Sequence, residues 1–143
     1  MIIWCELFGK SEQLKRICKQ KGAVNMKRDM AIIREILLQC EQARSGFDLS
    51  SVCTSQDERD LYAYHVQLLD DGGYIIANVK RTAGGHAITV YIERMTWAGT
   101  ELLESLRNES VFKETMKRLA KTAGVFSVSL VQSIAAEELK KLV

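Results

Sequence analysis

From Met26 onward the chain alternates apolar and polar positions at helical spacing: Met30, Ile33, Leu37 and Cys40, flanked by Ile32 and Ile36, in a segment ending near Ala43. The pattern predicts an amphipathic helix that Asn25 caps, with Asp29 as a first-turn acid and Ser45-Gly46 as its stop. A weak extended run, Phe47 to Val52, leads into Ser55-Gln56-Asp57-Glu58, an S-x-x-E capping box. The box opens a second predicted helix, Gln56 to Asp71, with Tyr62, Val66 and Leu69 on one stripe beside Leu61 and Leu68, stopped by Gly72-Gly73. The period then changes from helical to two. Tyr74 to Arg81 alternates through Ile75, Ala77 and Val79, and Ala87 to Arg94 through Ile88, Val90 and Ile92. With Thr82-Ala83-Gly84-Gly85-His86 between them, these runs read as a β-hairpin. Helical spacing returns after Thr96 (Leu102, Leu103, Leu106), after Ser110 (Phe112, Met116, Leu119) and after Ser127 (Val128, Val131, Ala135, Leu139, Leu142).

The order helix, short strand, helix, two-stranded hairpin, helix is that of a winged helix-turn-helix. The predicted class is α+β, mostly helical, with Tyr74 to Arg94 as the wing and a C-terminal helical extension. The expected organisation is an N-terminal extension over 1–25, a winged-helix core over 26–109 and a helical extension over 110–143 packed on that core. The short helix that precedes the second long one in such folds falls in Asp48 to Thr54, where the periodic signal is poor. Residues 1–25 read either as a short extra helix through Leu14, Ile17 and Cys18 or as an over-extended start, since Met26-Lys27-Arg28-Asp29 also suits a natural beginning.

Composition narrows the function classes. The 143 residues are 47% hydrophobic and 27% charged, which suits one sizeable core, and no apolar run approaches the ~20 residues a bilayer requires. The segment Met1 to Phe8 carries Glu6 and lacks a basic leader, so a cytoplasmic protein of a bacterial cell or phage-infected host is expected. Residues 1–25 hold a net +3 of the total +2, leaving the main domain at −1 and without the general surplus of Lys and Arg that nonspecific phosphate binding draws on. Cys5, Cys18, Cys40 and Cys53 lack close C-x-x-C pairing and are expected to be reduced thiols, with neither a metal nor a cofactor.

Three stretches carry a resemblance: Met26-Lys-Arg-Asp-Met-Ala-Ile-Ile-Arg-Glu-Ile-Leu-Leu, then Tyr64-His65-Val66-Gln67-Leu68-Leu69 running on to Gly73-Tyr74-Ile75, and Arg94-Met95-Thr96-Trp97-Ala98-Gly99. In this order the chain resembles, over about residues 26–143, the bacterial and phage family known as domain of unknown function 2513. The resemblance implies a winged-helix-like fold and transfers no activity.

Candidate chemistry is sparse. Arg59, Tyr64 and Gln67 lie off the apolar stripe of the second helix, where Arg59 and Gln67 suit guanine or adenine edges. Asp57, Glu58, Asp60, Asp70 and Asp71 set that helix at −4 against its one arginine, which opposes entry into a DNA groove and suits a protein partner through 57–71. Lys80, Arg81 and His86 surround the Gly-rich tip, either as phosphate contacts or as charges that blunt an exposed edge. Lys113, Lys117, Arg118 and Lys121 form a basic stripe that reads as a solvated face or as an anion or partner surface. His65 reads as a packed, hydrogen-bonded helix residue, and Glu101 with Glu104 and Glu137 with Glu138 as exposed helix faces. No nucleophile motif accompanies them, so no enzyme is expected. Two functions stay open: a DNA-binding regulator or accessory factor of phage or prophage type, a homodimer if it reads a two-fold site, and a protein-interaction adaptor that does not bind DNA.

Overall fold

A computed structural model of the chain describes residues 27–121 and 127–142. The expectations for residues 1–25, including Cys5 and Cys18, lie outside the described residues. Helix α1 (Met30–Gln42) is followed by a two-residue strand β1 (Phe47–Asp48) and a 3-10 turn (Leu49–Val52). Helix α2 (Gln56–Asp71), strands β2 (Ile75–Arg81) and β3 (Ala87–Met95), and helices α3 (Trp97–Leu106), α4 (Glu109–Ala120) and α5 (Val128–Lys141) complete the order. The fold is α+β, mostly helical, with five α-helices and a three-stranded antiparallel sheet in the order β1-β3-β2 among the described residues.

The helix caps correct three sequence expectations. Asp29, not Asn25, caps α1: its carboxylate accepts the Ala31 N–H at 2.9 Å, and the helix starts four residues later than the apolar period suggests. Asn108, not Ser110, caps α4 by accepting from the Val111 N–H at 3.1 Å. Ser55 caps α2 as expected, accepting from Glu58 N–H, but Glu58 does not close the box on Ser55. Its carboxylate takes the hydroxyl and N–H of Thr54 instead, at 2.9 and 3.3 Å, and so fastens the loop that enters the helix.

One core joins α1, α2, the inner face of the sheet and α3, with Ile36, Leu37, Val66, Val90, Ile92, Leu102, Leu103 and Leu106 fully buried. His65 sits in this core with no exposed surface. Its Nδ1–H donates to Leu61 O and its Nε2 accepts from the Asp29 N–H, both at 2.9 Å. A backbone donor on Nε2 places the ring proton on Nδ1, so a neutral imidazole ties the start of α1 to the middle of α2. From the other side Arg34 of α1 donates to the carbonyls of Leu106 (2.7 Å) and Arg107 (3.0 Å), capping the end of α3 with a cation while lying over the Phe112 ring.

The start of α3 is fastened to the turn after α2. Thr96 caps α3 by accepting from the Gly99 N–H, donates its hydroxyl to Gly73 O at 2.5 Å and donates its N–H to Tyr74 O at 3.0 Å. Gly99 is what permits this approach, because a Cβ there would stand 2.0 Å from Tyr74 O. The hairpin also departs from strict alternation. Lys80 pairs with Thr89 but Arg81 with Ala87, so Ile88 is bulged out of the ladder and stands 55% exposed, not inward as its place in the pattern suggests.

Candidate nucleic-acid interface

The β2–β3 hairpin turns tightly. Thr82 O accepts the Gly85 N–H at 3.0 Å, and Gly85 follows at φ 87, where only glycine is unstrained. From this tip the hairpin runs back beside α2, and side chains of α2 reach across to hold it. Asp60 Oδ1 accepts the Ala87 N–H at 2.8 Å and Asp60 Oδ2 accepts from His86 Nδ1 at 2.9 Å. Gln56 Nε2 donates both to Asp60 Oδ1 (2.9 Å) and to Ala87 O (2.8 Å). About two turns beyond Asp60, Gln67 Oε1 accepts from Arg81 Nη2 at 2.5 Å, while Arg81 Nη1 donates to Gly85 O at 2.9 Å.

The structure therefore brings Gln67, Arg81 and His86 to one seam, with Lys80 exposed beside them and without an ion-pair partner among the described residues. Arg59 stands apart, half-buried, with Nη1 donating to Gln56 Oε1 at 3.3 Å. Tyr64 is half-buried with its ring edge-on to His65, and it lines a cleft of about 420 Å³ between α2 and β2 with Gln67, Leu68, Asp70, Asp71 and Asn78.

Counting charges along α2 overstates its acidity. Glu58 and Asp60 are buried and satisfied by Thr54 and by the hairpin, and Asp70 accepts the Ala77 N–H at 3.2 Å. Asp57, Asp70 and Asp71 remain on the surface. Burial acts to raise the Asp60 carboxyl, but the bonds from His86, the Ala87 N–H and Gln56 together outweigh it and hold the group below the ordinary Asp range. A carboxyl that ionises more readily in the folded chain stabilises the fold above its unfolded value, about 4, and loses that contribution as pH falls through the lower folded value. The stability gap between the wild type and Asp60→Asn, measured by urea unfolding, is therefore expected to narrow as pH drops from about 6 to about 3. A gap constant over that span would show that the seam draws nothing from the charge.

The basic stripe on α4 is largely spent within the protein. Lys113 pairs with Glu109, Lys117 with Glu114, and Arg118 with both Glu137 (2.8 Å) and Glu138 (3.1 Å), so Arg118 joins α4 to α5. Its guanidinium is pushed further up by Glu137 and then Glu138. Lys121 alone of the four has no ion-pair partner among the described residues. Glu138 is not on an exposed face, as its spacing suggests, but buried between Arg118 and Lys141. Cys40 and Cys53 are buried, with burial pushing the Cys40 thiol up to about 12, out of the reactive range. No group of His, Cys, Asp and Glu among the described residues is placed to hold a metal ion.

Sequence reasoning missed Gln56, Asp60 and Gly99. Gln56 and Asp60 share one face of α2 at i and i+4, a polar pair whose partners lie across the hairpin and so leave no local signal. Among the described residues no helix is long and apolar enough to cross a membrane. A family model described as "Hypothetical protein (DUF2513)" matches residues 27–126. No curated protein and no solved structure matches the chain.

Proposed function

We propose that this chain, which belongs to the family described as hypothetical protein DUF2513, is a cytoplasmic winged-helix module that binds duplex DNA. The element order supports the winged-helix reading: α1, β1, the 3-10 turn in the place of the missing short helix, α2, then β2 and β3 as the wing, with sheet order β1-β3-β2. The observation that carries the DNA reading is the seam itself. It presents Lys80 and Arg81 around a tight Gly-rich tip, with His86 held beside them by Asp60, a local cationic patch on a domain with no overall positive charge. Phosphate contacts at such a tip release counterions, so binding of mixed genomic DNA should be strong at about 50 mM salt and steeply weaker at about 200 mM. Mobility shifts at the two salt concentrations test this, and Lys80→Ala with Arg81→Ala should remove most of the shift at low salt. Absence of any retardation at low salt would end the DNA reading.

The exposed Asp57, Asp70 and Asp71 favour a second reading, a protein-interaction adaptor that docks through α2. A chain that ignores DNA yet holds a stoichiometric protein partner, and releases it on reversal of charge at Asp70 and Asp71, would support the adaptor instead.

A further inference from the structure

We infer that α2 does not read base sequence but brackets the wing, so that this module engages the DNA backbone with little regard to sequence. The inference rests on the DNA-binding reading above. Of the side chains of α2 suited to base edges, Gln56 and Gln67 spend their acceptors within the protein, and Arg59 is half-buried and gives one of its five N–H donors to Gln56. Gln56 spends its amide N–H groups on Asp60 and Ala87 O and its carbonyl on Arg59. Gln67 gives its carbonyl to Arg81, and a bidentate contact to adenine needs that carbonyl together with the amide. Asp57 and Asp71, exposed near the two ends of α2, repel the phosphates that would flank the helix in a major groove.

The wing has the opposite character. Two of the five Arg81 donors are anchored on Gln67 and Gly85, which fixes the guanidinium and leaves three N–H groups for phosphate. Lys80 is exposed beside it. The N–H groups of Ala83 and Gly84, at the crown of the turn, have no acceptor among the described residues, and the side-chain atoms nearest to where a Gly84 Cβ would stand, His86 Cδ2 and Thr82 Oγ1, are 3.8 Å away. Asp60 is the positioning residue of this arrangement, since it holds the Ala87 N–H and the His86 ring at once. Ordering the wing before binding removes a cost that a loose hairpin pays on contact.

Two or three phosphate contacts predict that affinity falls about tenfold to fortyfold between 50 and 200 mM salt, from a slope near −0.9 per phosphate. The test is fluorescence anisotropy with three unrelated 20-base-pair duplexes of equal base composition, one of them the sequence most enriched when the chain selects from a randomised duplex pool. Dissociation constants are expected to agree within about threefold, where a base-reading helix discriminates by a thousandfold or more. Arg59→Ala should leave all three unchanged. Asp60→Asn should weaken all three about threefold to tenfold, the factor by which the latched wing is depopulated. In the same variant, hydrogen exchange should quicken at the Ala87 amide while amides of α1 and α3 keep their protection, which a general loss of folding does not produce. Lys80→Ala, at an exposed site, should lower affinity uniformly without touching the seam. One duplex bound about thirtyfold tighter than the others, with that preference lost in Arg59→Ala, would overturn the inference and leave DNA binding standing. No binding to any duplex at 50 mM salt would instead end the DNA reading and the inference together.

Discussion

Gly99→Ala is expected to cost about 3 kcal/mol or more, a fall in Tm of about 10 °C by thermal unfolding. The sign is the informative part. At an exposed helix interior the same change stabilises by about 1 kcal/mol, because alanine restricts the unfolded chain and suits the helix better. Here the added methyl would stand 2.0 Å from Tyr74 O, 2.7 Å from Met95 Cγ and 3.0 Å from Tyr74 C. Two of the three are backbone atoms, and they belong to the residue whose carbonyl also accepts the Thr96 N–H. Room can be made only by lifting α3 away from the turn after α2, which stretches both Thr96 bonds and uncovers Leu102, Leu103 and Leu106. A variant as stable as the wild type would show that α3 is not docked at this contact.

His65→Ala is expected to lose a similar amount, about 3 to 4 kcal/mol, by urea unfolding. Two costs combine: the space a ring leaves in a fully buried site, and the Asp29 N–H left without its acceptor at the start of α1. His65→Leu separates them, since leucine refills most of the volume but cannot accept the hydrogen bond. Its loss should be about 1 to 2 kcal/mol, the cost of the unsatisfied donor. Equal losses in the two variants would assign the whole effect to the hydrogen bond, and no loss in either would remove His65 from the core.

Much of the fold was legible because its elements repeat a period for long enough. The sixteen residues of α2 appear with both ends correct, since Ser55 and Gly72 are chemical punctuation as well as the limits of an apolar stripe. The start of α1 was misplaced because Asn25 and Asp29 are equally good cap residues and Met26 extends the stripe backward, whereas the side chain that selects Asp29 is His65, far along the chain. The 3-10 turn at Leu49–Val52 is too short to show a period at all. Alternation points Ile88 inward because it assumes an unbroken ladder, and a one-residue bulge reverses the face.

At the site, residue types were legible but their commitments were not. Lys80, Arg81 and His86 stand out beside two glycines, and the sequence locates the tip they share. Whether an acid on α2 faces water or a backbone amide is decided by how the hairpin folds back. Asp57 and Asp60, three positions apart, accordingly have opposite environments. Summed charge treats them alike, which is why the helix looks more hostile to DNA in the sequence than on the surface.

The bonds from Arg34 to Leu106 and Arg107 join residues 72 and 73 positions apart, and β1 completes its ladder only on Tyr91 and Ile92. During synthesis α1 and β1 therefore leave the ribosome well before the strand and helix that cover them. Neither has a finished partner until the second hairpin strand and α3 have emerged, by which time nearly three-quarters of the described chain is out. Closing so long a loop costs entropy before its contacts form, so refolding by stopped flow is expected to be slower than the helical content suggests. In the interval the apolar stripe of α1, Ile32, Ile33, Ile36 and Leu37, is the surface on which a nascent chain of this protein would meet a chaperone.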